Sequence, residues 1–426
     1  IGRCQSLHKA QVFIPLSMRL FSYRNRPVHL GPYPSERLSR SANASLGNEK
    51  LEVSQLRMIP DGARDSIAEG MDEYLGLLDS IRDGVSVANK AEVPDDLGER
   101  SDHLKAAAYF LDASVVGVAS LKPAMVLDEP YNHPRITEWL RKGPSDKVHL
   151  RLNVAAVYQA MEASQKRIAL PITGHRHALV IAVEYPRDPT PGEPGAEWIM
   201  GLQAQRAHLR AGETATVLAV YLRQLGFSAR AHTGTSSDIN LLQVACAAGI
   251  GQPDEKGGLR NPYMGDRFGL AVVTTDFELE PDSPLASENV ITRLRSHGPR
   301  WWTGLGSRKS AFNRTPYKGR RFKDGPYPME TLKRVDEPTS FIDAERIPRV
   351  PKRTEFFVRI ALGDLGEAAQ KTSVDGFSVM KNPFGRSIAS LLTTYSILQR
   401  DEASSARSTN YEDPDRNADL IKAALY

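Results

Sequence analysis

Three segments of this chain occur twice, in the same order and at nearly the same separation. Gly31-Pro32-Tyr33-Pro34-Ser35-Glu36-Arg37-Leu38-Ser39-Arg40 returns as Gly325-Pro326-Tyr327-Pro328-Met329-Glu330-Thr331-Leu332-Lys333-Arg334. Ser66-Ile67-Ala68 with Tyr74 returns as Ser387-Ile388-Ala389 with Tyr395. Asp102-His103-Leu104-Lys105-Ala106-Ala107-Ala108-Tyr109 returns as Asp419-Leu420-Ile421-Lys422-Ala423-Ala424-Leu425-Tyr426. The offsets are 294, 321 and 317 residues. One GPYP turn could arise by chance, whereas three ordered matches at a near-constant offset indicate an internal duplication. The chain therefore reads as one complete module, residues 19–312, followed by the opening of a second, residues 313–426, which breaks off at the equivalent of Tyr109. The start Ile1-Gly2-Arg3-Cys4 lacks Met, and Met18 is the more natural beginning, so residues 1–18 are expected to be a non-native leader. The end Ala423-Ala424-Leu425-Tyr426 falls inside a helical pattern without a Gly cap, so a fragment of a longer product is expected.

Two cysteines in 426 residues, Cys4 and Cys246, exclude a disulfide framework and any four-thiolate zinc or iron–sulfur site built by this chain alone. A formal charge of +4 spread over the surface is too small for a nucleic-acid footprint, so no nucleic-acid partner is expected. The longest apolar stretches, such as residues 178–183, fall far short of the roughly 20 residues of a membrane helix. The N-terminus shows neither a secretory apolar core nor a twin-Arg pair, so a cytoplasmic protein without membrane contact is expected.

Periodicity predicts helices over residues 63–81, about 101–111 with Ser101 as N-cap, 213–225 closed by Gly226, and 239–248 ended by Gly249 with Ser237 or Asp238 as N-cap. Short continuous apolar runs predict buried strands over 114–119, 178–183 and 268–275, the second of them central. Residues 186–194 read as a Pro-rich surface loop. Helices interleaved with non-adjacent strands, and no Gly-rich phosphate motif, point to an α+β layered domain rather than a doubly wound nucleotide fold. In the second copy, residues 388–398 form a helix with Ile388, Leu391, Leu392, Tyr395 and Leu398 on one apolar face but no sheet of its own to cover it. Residues 313–426 are therefore expected to be loosely attached and protease-sensitive, and 24–285 compact.

Leu222-Arg223-Gln224-Leu225-Gly226-Phe227-Ser228-Ala229 resembles a segment shared by corrinoid-dependent reductive dehalogenases and epoxyqueuosine reductases. Gly258-Leu259-Arg260-Asn261-Pro262-Tyr263-Met264-Gly265-Asp266-Arg267 is similar to their loop before a buried strand, and Thr275-Asp276-Phe277-Glu278-Leu279-Glu280-Pro281-Asp282 to the motif after it. With the duplication, the pattern resembles the catabolic, non-respiratory reductive dehalogenases. That resemblance implies a nitroreductase-like cobalamin-binding α+β domain, followed here by the truncated start of a duplicated copy. It also implies base-off cobalamin, two [4Fe–4S] clusters, an organohalide substrate and a redox donor, for the full-length protein. The family's proton-donor Tyr falls at His208, its Arg is retained as Arg267, and its Asn falls at about Gly234. Thr233, Gly234, Thr235 and Ser236 are candidates for cradling the corrinoid's phosphate tail, and Tyr263 for facing the cofactor.

The departures matter as much. Residues 283–322, where the cluster cysteines would begin, contain none. His208 has a plainer reading as a helix-start histidine in a relic site, and Arg267 as the partner of Asp266 or Glu278. Thr233–Ser237 also reads as an ordinary loop ahead of a helix. His175-Arg176-His177 lacks a third metal ligand and suits a strand edge, Cys246 suits the core, and Trp301-Trp302 suits a packing plug. The expectation is the N-terminal portion of a reductive dehalogenase, with 19–312 a degenerate structural copy and 313–426 the start of the catalytic one. Such a chain would hold no metal or cofactor and would not dehalogenate by itself. The alternatives are a stand-alone corrinoid- or tetrapyrrole-binding carrier and, further off, a flavin reductase on the related fold.

Overall fold

The computed structural model describes residues 27–41, 51–54, 67–134, 154–185, 187–286, 320–325, 329–336, 345–346, 351–376, 382–398 and 413–426. The helices are α1 (Ile67–Ser80), α2 (Leu97–Phe110), α3 (Val154–Ile168), α4 (Ala196–Ile199), α5 (Gln203–Gln224), α6 (Leu241–Ala247), α7 (Phe356–Ala361), α8 (Glu367–Gly376), α9 (Pro383–Leu398) and α10 (Pro414–Leu425). The strands are β1 (Val115–Ser120), β2 (Val126–Asn132), β3 (His177–Glu184), β4 (Ala229–His232), β5 (Ser236–Ile239), β6 (Gln252–Pro253), β7 (Leu259–Arg260) and β8 (Phe268–Thr275). Cys4 and Trp301-Trp302 lie outside the described residues.

A four-stranded sheet in the order β1-β3-β8-β4 organises the first module, with every pairing antiparallel. β3 and β8 run in register from His177↔Thr275 to Glu184↔Phe268. Both are unbroken apolar runs because both faces of the sheet are covered. Leu179, Ile181, Ala271 and Val273 pack with α2 and α5 on one face, while Val180, Ala182, Leu270 and Val272 pack with α6 and Tyr33 on the other. Alternate residues of a strand point to opposite faces, so a two-sided core removes the usual polar alternation. The result is a mixed helix-and-sheet sandwich, and no helix among the described residues is long and apolar enough to cross a membrane.

Several boundaries correct the sequence expectation. α1 is described from Ile67 to Ser80, and the predicted start at residue 63 lies outside the described residues. α2 begins at Leu97, capped by Asp96, whose side chain accepts the Glu99 N–H. Ser101 is instead inside the helix, donating to the Glu280 carbonyl. α5 begins ten residues ahead of the predicted 213, because its first turns bury Gln203, Gln205 and His208, which no apolar pattern betrays. Residues 236–239 form a polar but wholly buried strand, and Asn240, not Ser237 or Asp238, caps α6 by accepting the Gln243 N–H. Gly226 closes α5 at φ 89°.

α9 does not stand off in solvent. Leu391 is buried against Leu78 and Val217, with Phe384, Ile388 and Tyr395 packed around it, whereas Leu392 is exposed. α1 and α5 thus cover part of that apolar face.

Candidate functional site

Two sequence-singled positions meet in the core. His208 lies in the second turn of α5 and is fully buried, and Gly234 lies in the β4–β5 turn. A Cβ on Gly234 would sit 2.5 Å from His208 Nδ1, and one on Gly269 would collide with the α5 backbone at Ala207–His208. The two glycines let α5 and the turn close on the imidazole. Its Nδ1 accepts the Leu270 N–H at 3.4 Å, and its Nε2 has no partner. Burial pulls His208 down to about 4, so the ring is neutral near pH 7 with its proton on Nε2. A neutral imidazole is a poor acid, and nothing here stabilises the imidazolium. Arg267, one residue before β8, is exposed and forms no ion pair with Asp266, Glu278 or any other described residue; Glu278 approaches Arg100 instead.

The Thr233–Ser236 turn is occupied with itself and with a carboxylate. Thr233 and Thr235 hydroxyls donate to the two oxygens of Asp79, at the end of α1, at 2.5 and 2.6 Å. The Thr233 N–H goes to the Ser236 carbonyl, and the Thr235 and Ser236 N–H groups go to Thr233 Oγ1. Ser236 donates to Asn132 Oδ1. Asp79, shut away from water, is pushed up to about 6, the two hydroxyls and Arg82 offsetting part of the burial. Tyr263 is not near this turn's partners. It stacks on Tyr33 with ring centroids 5.1 Å apart and donates to the Pro34 carbonyl, fixing the GPYP turn.

Beside Asp79 lies a buried ionic network that the sequence reading missed. Arg82 is 0% exposed; its Nη1 donates to Asp238 Oδ2 at 2.8 Å, and its Nε and Nη2 have no partner. Arg230 bridges Asp238 at 3.3 Å and Asp83 at 2.6 Å, and Arg167 completes Asp83 at 2.9 Å. The guanidinium groups hold Asp238 down to about 2 despite its burial. The only available signal was the Asp79-x-x-Arg82-Asp83 run at the end of an apolar helix.

The His175–His177 pair is not a ligand pair. His177 starts β3, while His175 joins a hydrogen-bond chain: Ser228 Oγ to His175 Nε2 at 2.9 Å, His175 Nδ1 to Thr274 Oγ1 at 2.8 Å, Thr274 Oγ1 to His232 Nε2 at 2.8 Å. The Asp238 N–H donates to His232 Nδ1, so a neutral His232 donates from Nε2 to Thr274 Oγ1. When Thr274 donates its own proton to His175 Nδ1, His175 donates from Nε2 to Ser228 Oγ. Among the described residues no group of three or more His, Cys, Asp or Glu could hold a metal ion. Cys246 is a core residue of α6, its thiol pushed up to about 12 by burial.

The fold and this filled polar centre define a two-sided antiparallel α+β domain whose buried carboxylates Asp83 and Asp238 are paired with arginines. No protein-family model and no curated protein matches the chain. Among solved structures it is similar to the catabolic reductive dehalogenase NpRdhA, with a TM-score of 0.75 and 33% identity over 96% of this chain and 52% of that one. The same holds for a reductive dehalogenase structure interpreted in terms of B12-dependent dehalogenation, at TM-score 0.75 and 33% identity over 95% and 51%. It holds also for NpRdhA in complex with 3-bromo-4-hydroxybenzoic acid, at TM-score 0.75 and 33% identity over 96% and 51%. The chain is similar to catabolic reductive dehalogenase structures and spans about half the length of each of these three.

Proposed function

We propose that this chain corresponds to the N-terminal half of a cobalamin-dependent reductive dehalogenase, with residues 19–312 a nitroreductase-like copy that has become structural and 313–426 the opening of the catalytic copy. The likeness to NpRdhA over 96% of the chain carries the reading. The duplication is supported by matched geometry. Gly31 at φ 69° lies under the Tyr109 ring, and Gly325 at φ 63° lies under the Tyr426 ring. His29 Nε2 is 3.8 Å from Asp102 Oδ2, and their counterparts Lys323 and Asp419 are 2.6 Å apart. Asp96 caps α2 as Asp413 caps α10. Tyr74 meets its own counterpart Tyr395 edge to face at 4.8 Å. Contact between equivalent residues is what packing about a pseudo-two-fold axis would produce.

The residues of the first copy do not fit the implied cofactors. His208 and Gly234 fill each other's space, where the family resemblance would put a donor and an amide. The turn that would cradle a phosphate has spent its N–H groups at Thr233, Thr235 and Ser236 and is backed by the Asp79 carboxylate. Two cysteines cannot ligate a [4Fe–4S] cluster. No step of dehalogenation is derived through these residues. The organohalide, the redox donor and a cytoplasmic setting belong to the whole protein in this reading.

The test is reconstitution of the 426-residue chain with hydroxocobalamin, iron and sulfide, followed by gel filtration and visible spectroscopy. A colourless protein peak and no halide release under reduction are expected. A stoichiometric base-off corrinoid spectrum would overturn the structural role given to residues 19–312.

A further inference from the structure

A cavity of about 340 Å^3 opens along the seam where α9 of the second copy covers α1 and α5 of the first. Ile81, Val85, Val220 and Leu391 give it apolar walls, and Thr216 and Arg223 of α5 supply polar atoms. Thr216, Val220 and Arg223 are four and three residues apart, so they form one row along the helix. Thr216 is 1% exposed, and its Oγ1 has no hydrogen-bond partner. Arg223 is also buried; its Nη1 donates to the Ala229 carbonyl at 2.8 Å, and no carboxylate of a described residue lies within ion-pair distance.

The neighbouring charges explain why Arg223 is left over. Asp83 also lines the cavity, but its Oδ1 is taken by Arg167 and the Gly84 N–H and its Oδ2 by Arg230. Asp238 is taken by Arg82 and Arg230, and Asp79 by two threonine hydroxyls. Every carboxylate of the cluster is engaged, and Arg223 is the guanidinium of the cluster with no carboxylate in contact among the described residues. Burial, with Arg167 and Arg230 nearby and Asp83 only partly offsetting them, draws its guanidinium down to about 10. A buried cation is stabilised by an opposite charge in hydrogen-bond contact, and a guanidinium is shaped for a carboxylate.

We propose that the seam cavity binds a small organic monocarboxylate, its carboxylate on Arg223, its hydrogen-bonding edge toward Thr216 and its apolar body along Val220 and Leu391. This site is independent of the dehalogenase reading and lies apart from His208 and the Thr233–Ser236 turn. The apolar walls select against inorganic anions, and the limited volume selects against large ligands.

Isothermal titration calorimetry of the 426-residue chain with hexanoate, and with 1-hexanol as the neutral counterpart, tests it. Hexanoate is expected to bind at least tenfold more tightly than 1-hexanol. Ser390→Trp, at an exposed position on the α9 rim, should fill the cavity and weaken hexanoate at least tenfold. Thr216→Val, a change of shape-equivalent side chain, should weaken it several-fold with an unaltered circular-dichroism spectrum. Absence of hexanoate binding, equal binding of 1-hexanol, or affinity unchanged in both variants would each overturn the assignment.

Discussion

At the scale of single residues, the centre of the first module is defined by what has been given room and what has been denied water. Gly234 is required because His208 stands where its Cβ would go, 2.5 Å from Nδ1. Gly234→Ala should therefore cost about 1–3 kcal/mol by overpacking. Repeating it in a His208→Ala background should recover most of that loss, as urea unfolding of the four proteins would measure; an additive cycle would separate the two residues. Asp79 tests the other condition. Its carboxyl titrates near pH 6 in the folded chain against 3.8 unfolded, because burial disfavours the anion more than Thr233, Thr235 and Arg82 favour it. A raised carboxyl contributes stability that is full below the unfolded value and is lost as pH rises through the folded one. Relative to Asp79→Asn, the wild-type chain should lose about 2 kcal/mol from about pH 4 to about pH 6. The difference between the two proteins is the readout, because His208, drawn down to about 4, has the opposite slope over the same range. A flat difference would mean that water reaches Asp79.

At the scale of elements, legibility followed the chemistry of the buried face. β8 was readable to the residue, and β3 to within one at each end, because two-sided apolar cover writes an unbroken run such as Ala178–Val183 into the sequence. β5 was read as loop, since Ser236, Ser237 and Asp238 bury polar groups satisfied by Asn132, the Ile239 carbonyl and arginines distant in sequence. The first turns of α5 were missed for the same reason: Gln203, Gln205 and His208 are interior, yet they look like surface. Of the candidate site, the meeting of His208 with Gly234 was accessible through the family resemblance alone, and the Arg82–Asp238–Arg230–Asp83 network through no local signal beyond the Asp79-x-x-Arg82-Asp83 run. Tertiary pairing of polar groups carries no periodicity. Thr274 shows how such pairing joins elements, because its hydroxyl links His175 ahead of β3 to His232 of β4 through β8. Thr274→Val keeps the shape and orphans a nitrogen on each histidine, so a loss of about 1–3 kcal/mol is expected in chemical denaturation. Nitrogen-15 shifts should place His175 as the Nε2–H tautomer in the wild-type chain. An Nδ1–H tautomer would mean that Thr274 Oγ1 accepts from both histidines.

At the scale of the whole molecule, α9 is held by the surface of α1 and α5. It lays Leu391 on Leu78 and Val217, and Tyr395 meets Tyr74 edge to face while its Oη donates to Glu213 Oε1 at 3.1 Å. Glu213 and Arg210 lie 3.6 Å apart, so the tyrosine joins an ion pair at the edge of a desolvated contact, and the Glu213 carboxyl is raised by burial. α9 is thus held by an aromatic contact, with Phe384 also edge to face with Phe110 and Tyr221, while Leu392, Phe356 and Phe357 remain exposed beyond it. This differs from the sequence expectation of a wholly uncovered helix face. Residues 320–325 and α10 are held separately, the Phe322 N–H by Glu193 and Arg416 by Glu197. Tyr395→Ala should cost about 2 kcal/mol at the seam, a half-buried aromatic truncation. Because α1 and α5 keep their own cores in Leu75 and Leu218, that loss should fall on the second copy alone. Limited proteolysis with mass mapping reads the outcome: cleavage within 382–426 should accelerate roughly tenfold in the variant, and fragments containing 67–286 should persist as long as in the wild type. Tyr395→Phe separates the two contributions, since it keeps the ring against Tyr74 and removes only the bond to Glu213; it should recover more than half of the protection. Accelerated cutting inside 67–286 in the alanine variant would mean that the first module depends on α9 for its fold, and that the two copies form one cooperative unit.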